Sequence, residues 1–145
     1  MAGLPAAALI AGLVAGVVAV PVTLQVAAMT TGGAAAATPE REKQLMAIAA
    51  SCIAFYQAGF DRLDLPVERN EAQRQSFIRV VDALAARHLP VGHREPWFME
   101  NVVGRAAIVV NIIDLKPDES IPKVRANLGA CDVLLPEMNA AAGLE

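Results

Sequence analysis

Residues 38–60 read TPEREKQLMAIAASCIAFYQAGF, and this stretch decides the fold. Thr38 is a good N-cap because its hydroxyl accepts an otherwise orphaned backbone N–H. Pro39 fits the first helical position, where a missing N–H costs nothing, and Glu40 meets the positive end of the helix dipole. Beyond them Leu45, Ile48, Ala49, Cys52, Phe55, Tyr56 and Phe60 recur at three- and four-residue steps, while Glu42, Lys43, Ser51 and Gln57 occupy other faces. The spacing predicts an amphipathic helix.

Working towards the C-terminus, Leu63 to Glu68, broken by Pro66, reads as a connection. Asn70 then caps a second helix with Phe77, Val81, Leu84 and His88 on one stripe, and Arg69, Glu71, Gln73, Arg74, Arg79 and Asp82 solvated. Leu89 to Pro96 holds two prolines and a glycine and reads as a loop, with Pro96 opening a third helix, Trp97 to Leu115. That segment is apolar around most of its circumference, which marks it as the central helix. Its β-branched run, Ala106 to Ile113, suits a strand on propensity alone, but the chain offers it no strand partner. Lys116 to Ser120 reads as a polar turn, and Ile121, Val124, Leu128, Cys131 and Leu135 form a fourth helical stripe that Pro136 ends. The expectation is an all-α fold, a small four-helix bundle over residues 38–138, followed by a frayed tail, 139–145.

Working towards the N-terminus, the character changes. Met1 to Pro39 contain no Lys, Arg, Asp, Glu or His, so all 12 basic and 15 acidic residues lie beyond them. Residues 30–37 are small and uncharged and read as a flexible linker. Residues 1–29 form an N-terminal hydrophobic segment, whose Pro5 to Met29 run would span about 37 Å as a helix, enough to cross a bilayer of about 30 Å. Two readings compete: a transmembrane anchor, or a signal peptide cleaved after a small-residue exit at Val26-Ala27-Ala28 or Ala35-Ala36-Ala37. The missing basic flank weighs against the signal peptide, and the same absence weighs against a simple anchor, because the positive-inside rule finds nothing on the N-terminal side. A buried helix of a fully soluble protein would need cover on every face, more than the remaining chain supplies. Gly12 and Gly16 form a GxxxG that would let two helices approach closely, although such spacing arises readily in an Ala- and Gly-rich run. Localisation is therefore expected to be membrane-anchored or exported, to the periplasm or cell exterior. Arg41 and Lys43, weighed by the positive-inside rule, keep a cytoplasmic-facing anchor open.

Cys52 and Cys131 both fall on apolar stripes, so both face inward. In an oxidising compartment they form a disulfide candidate that closes a loop of about 80 residues, with a stabilisation of about 4.5 kcal/mol on the chain-entropy model. Trp97 and Phe98 are adjacent, and one helix face cannot take both rings, which makes them partner-contact candidates.

The residues that carry chemistry make no specific motif. His88, His93 and Glu95 lack the i, i+4 spacing of a helical metal site, and His88 has a plain use at the end of the second helix. A haem held by His88 and one of Met46, Met99 or Met138 is a weak alternative. Ser51, Ser76 and Ser120 lie in no nucleophile context, and Asp61 with Asp64, or Asp118 with Glu119, read as solvated loop acids. A net charge of −3 argues against nucleic acid. No metal and no cofactor is expected. The expected function is non-enzymatic: a membrane-tethered or exported helical protein acting by protein–protein interaction, such as an accessory subunit of a membrane complex, with membrane lipid as a further partner if the leader stays. The alternative is a ligand- or cofactor-binding helical bundle.

Overall fold

The computed structural model describes residues 36–144. The hydrophobic segment 1–29, with Gly12 and Gly16, and residues 30–35 of the linker lie outside the described residues. Five α-helical stretches occur in order: α1 (Pro39–Arg62), α2 (Val67–His88), α3 (Val91–Phe98), α4 (Arg105–Leu115) and α5 (Pro117–Ala142). A π-helical turn, Met99–Gly104, joins α3 to α4 with right-handed helical dihedrals at both junctions, so the two make one rod. Counted so, the described residues form four helices and no strand.

α1 starts where its capping sequence places it. Thr38 Oγ1 accepts the Arg41 N–H at 3.3 Å, and Pro39 opens the helix. Its buried residues, including Leu45, Met46, Ala49, Ala50, Cys52, Ile53, Ala54, Tyr56 and Ala58, run around the whole helix. α1 is therefore the central helix, and the expectation that gave this place to the third helix is corrected. Alanines make the position workable, because they let α2, α4 and α5 pack close to the α1 backbone. At Gly59 a Cβ would come within 2.7 Å of Leu65 Cδ1, so the α1–α2 connection folds tightly back over the helix end. α2 begins at Val67, a turn before the expected cap, and Asn70 lies inside it, donating its side-chain amide to Pro66 O at 2.6 Å. Phe77, Val80, Val81 and Leu84 form its buried stripe, and the Phe77 ring stacks on Tyr56 with centroids 5.9 Å apart.

Leu89 to Pro96 is not a loop: α3 starts at Val91, directly after Pro90, and Pro96 sits in its second turn. The missing N–H of Pro96 frees only the Gly92 carbonyl, which lies in an exposed stretch where solvent satisfies it. The π turn beyond it lengthens hydrogen bonds by one residue and strands a carbonyl, and Asn101 Nδ2 donates to Trp97 O at 2.9 Å.

α5 departs furthest from expectation. Pro117 opens it at the first helical position, so the predicted polar turn, Lys116 to Ser120, is mostly helix. Pro136 does not end it, and the expected frayed tail is a structured helix end. An interior proline costs about 3 kcal/mol, while burying Met138 contributes about 1.5–3 kcal/mol, and Ala141 and Ala142 are buried too. The end is also well capped. Gly143 adopts a left-handed φ of 71°, Leu144 N–H donates to Asn139 O at 2.9 Å, and Gly143 N–H donates to Ala140 O at 3.2 Å. These bonds make a Schellman motif. Arg87 of α2 donates to Ala141 O and Ala142 O at 2.8 and 2.7 Å, completing the cap from outside.

Candidate interaction surface

The inner face of the α3–α4 rod carries Val102, Ala106 and Ile113, all buried, with Val109 and Val110 packed beside them. The outer face is nearly as apolar. Met99, Val103, Ile108, Ile112 and Leu115 are 53%, 45%, 58%, 50% and 81% exposed. In an unbroken α-helix, at about 100° per residue, Met99 and Val103 would point away from the last three. The π turn absorbs one residue and rotates the helix beyond it by about one step, which gathers all five into a sector of about 120° opposite the core face. A mainly apolar stripe about 24 Å long results, with the exposed Asn111 as a polar residue in the same sector.

Two shallow hollows flank this stripe. One of about 260 Å³ is lined by Ser51, Ala54, Phe55, Arg105, Ile108 and Val109. The other, of about 190 Å³, shares Phe55 and Val109 and adds Ile112, with Lys116, Glu119 and Lys123 at its rim. Both fall below the usual range of small-molecule sites, about 300–1,000 Å³. Several nearby charges are already engaged. Arg105 donates to Ser51 Oγ at 2.7 Å, and Arg62 binds both oxygens of Asp114 at 2.6 and 3.0 Å, holding the Asp114 carboxyl below its ordinary value.

Trp97 and Phe98 are both half-buried and packed against the core. They border a cleft of about 460 Å³ with Ile78, Val81, Asp82, Ala85, Arg94 and Glu95. Trp97 also borders a second hollow with His93, Pro96 and Glu100.

Cys52 and Cys131 stand at disulfide distance with Cα atoms 5.7 Å apart, tying α1 to α5. Beside them Tyr56 gives its hydroxyl to the Asp132 carboxylate, which also accepts Gln73 Nε2 at 3.3 Å. Burial first, and then the bond to Asp132, push the Tyr56 hydroxyl above its ordinary pKa, so it stays a donor. The group is a part-buried clamp among α1, α2 and α5.

His88 Nε2 lies 2.6 Å from Glu42 Oε2, and Arg87 reaches Glu42 Oε1 at 3.0 Å. The bond from His88, aided by the charge of Arg87, holds the Glu42 carboxyl below its ordinary range against a smaller cost of burial. His93 and Glu95 lie away on α3, and no group of three His, Cys, Asp or Glu side chains with metal-binding geometry occurs among the described residues. Met46 and Met138 are core residues, whereas Met99 belongs to the stripe. The hydroxyls of Ser51, Ser76 and Ser120 donate to Ala47 O, Ala72 O and Ile112 O. No helix among the described residues is long and apolar enough to cross a membrane.

Sequence reasoning missed the stripe because hydropathy around a helix does not say which half is covered. The usable signal was volume: α1 lines its faces with alanine, while α4 carries branched side chains all round. Comparisons with protein-family models, curated proteins and solved structures found no match to this chain.

Proposed function

We propose that this chain is a non-enzymatic, membrane-tethered or exported helical protein that docks another protein on the outer face of the α3–α4 rod. The observation that carries this reading is the five-residue apolar stripe, left exposed on a helix whose other face is already packed. Such a patch, rimmed by polar groups, is the usual mark of an interaction site. Export is supported by the pairing of Cys52 with Cys131 in the interior, since such bonds persist in oxidising compartments. Tethering rests on the apolar run up to Met29, and an accessory subunit of a membrane complex fits both.

The test is chemical cross-linking and co-purification of the full chain from its native host, comparing wild type with Ile108→Asp and Val103→Asp. Both side chains are about half exposed or more, so far-UV circular dichroism and thermal melting should stay close to wild type. The partner bands should disappear. Identical partners at identical yield in all three proteins would sink the proposal.

A second reading, ligand binding beneath Trp97 and Phe98, is favoured by one observation: the cleft volume of about 460 Å³ lies in the range of small-molecule sites. Trp97 is the only tryptophan of the chain, so its fluorescence reports the cleft directly. Saturable quenching or a blue shift with an apolar probe would support binding, and an unchanged spectrum would dismiss it.

A further inference from the structure

The rod is close to self-complementary when read in the two directions. Turned antiparallel about a two-fold axis near Ile108, it sets Met99 of one copy against Leu115 of the other, and Val103 against Ile112. Ile108 of each copy meets at the axis. The same register brings Glu100 of one copy opposite Lys116 of the other, twice by symmetry, on the same edge of the stripe. In an antiparallel pair related by such an axis, equal edges of the two helices face each other, so the charges meet across the seam.

Both groups have the freedom this requires. Glu100 is exposed and makes no salt bridge among the described residues, and Lys116 keeps only a loose 4.0 Å contact with Glu119. Arg105, which would otherwise crowd the middle of that edge, is turned onto Ser51, and Asp114 is tied to Arg62. A parallel pair sets opposite edges of the two helices against each other and keeps Glu100 of one copy about 24 Å along the seam from Lys116 of the other, so the charge pairing is lost.

We propose that the partner on this face is a second copy of the chain, docked antiparallel through Met99, Val103, Ile108, Ile112 and Leu115 and registered by two Glu100–Lys116 pairs. This rests on the reading of the stripe as a docking face and names its occupant. The interface is isologous, with the same patch used on both copies, so it closes as a dimer and does not propagate. A seam about 24 Å long is shorter than a standard interface of about 800 Å² per partner needs, which places the dimer in the weak, concentration-dependent class.

A zero-length carbodiimide cross-link tests it on the full chain. Within one molecule Glu100 and Lys116 are about 24 Å apart along a single rod, so a 100–116 link found by peptide mass spectrometry must join two copies. The link is expected in wild type, rising with protein concentration. It should fall at least tenfold in Ile108→Asp and in Val103→Asp, which keep both reacting groups. It should also be lost in Glu100→Lys and return in the double variant Glu100→Lys/Lys116→Glu, where the charges are exchanged. Because the link is site-specific, association through the N-terminal segment cannot imitate it.

Absence of the link in wild type at high concentration, or its persistence in both Asp variants, overturns self-pairing. If it is absent while the Asp variants still lose a different protein in the native host, the docking face stands and its occupant is not a second copy. If the variants lose nothing at all, both proposals fall together.

Discussion

α1 and the α3–α4 rod both carry long apolar runs, yet one is covered on every side and the other on only one. The difference lies in volume. α1 presents Ala49, Ala50, Ala54 and Ala58 between its larger residues, so three neighbours come close to its axis, and its large side chains, Leu45, Ile53 and Tyr56, are at most 1% exposed. The rod carries Val, Ile and Leu on both faces, which holds neighbours away and leaves half of them unused. A helix is central when its neighbours can reach its backbone, and apolarity alone does not guarantee that.

The largest loss of stability is expected at the cysteines. Replacing Cys52 and Cys131 with alanine should cost about 4 kcal/mol, read from the denaturant midpoint under oxidising conditions, because the bond ties α1 to α5. Equal stability with and without a reductant would show that the bond does not form.

Next comes a matched pair of truncations. Ile53→Ala, inside α1, should cost about 3 kcal/mol, and Ile108→Ala, on the outer face of the rod, should cost less than about 0.5 kcal/mol. Similar losses at the two sites would mean that the outer face is covered in the molecule as isolated, and would erase the contrast.

A smaller effect is expected within the rod. Asn101→Ala removes the donor to Trp97 O and should cost about 1 kcal/mol. Hydrogen exchange should then accelerate at residues 99–104 while the α1 amides keep their protection.

The smallest effect concerns acid. Carboxyls of both regions, Glu42 on α1 and Asp114 on the rod, are held below their ordinary values of 4.5 and 3.8. Each binds its proton less readily when folded than when unfolded. The stability it lends is complete above the ordinary value and drains as pH falls through the lower, folded value. Glu71, brought to about 2 by Arg74 and Gln75, extends the same trend to lower pH. Thermal melts from pH 5 to pH 2 should flatten more in Glu42→Gln than in Asp114→Asn, because the Glu42 side chain is 15% exposed and Asp114 47%. The reverse order would place the stronger ion pair on the rod.

Much of the helical organisation was legible in the residues themselves. The Thr38-Pro39-Glu40 start of α1, the Phe77–Val81–Leu84 stripe of α2 and the inward pairing of the two cysteines come from local chemistry and period, and the structure has them. The points that sequence periodicity could not settle were decided by tertiary packing. Pro136 read as a boundary because an interior proline is costly, but Met138 buried beyond it and a cap of four hydrogen bonds at the helix end offset that cost. The stripe was hidden for a geometric reason: counted at α-helical pitch, Met99 and Val103 fall opposite Ile108, Ile112 and Leu115. Only the π turn brings them together.

With the Cys52–Cys131 bond formed, the chain between the two cysteines is a closed ring, and all three connections of the described bundle lie on it. A protease that nicks the peptide at Asp64, at Pro90 or at Lys116 therefore opens the ring without releasing a piece. The cut protein would keep its mass on a non-reducing gel and separate into two fragments only after a thiol is added.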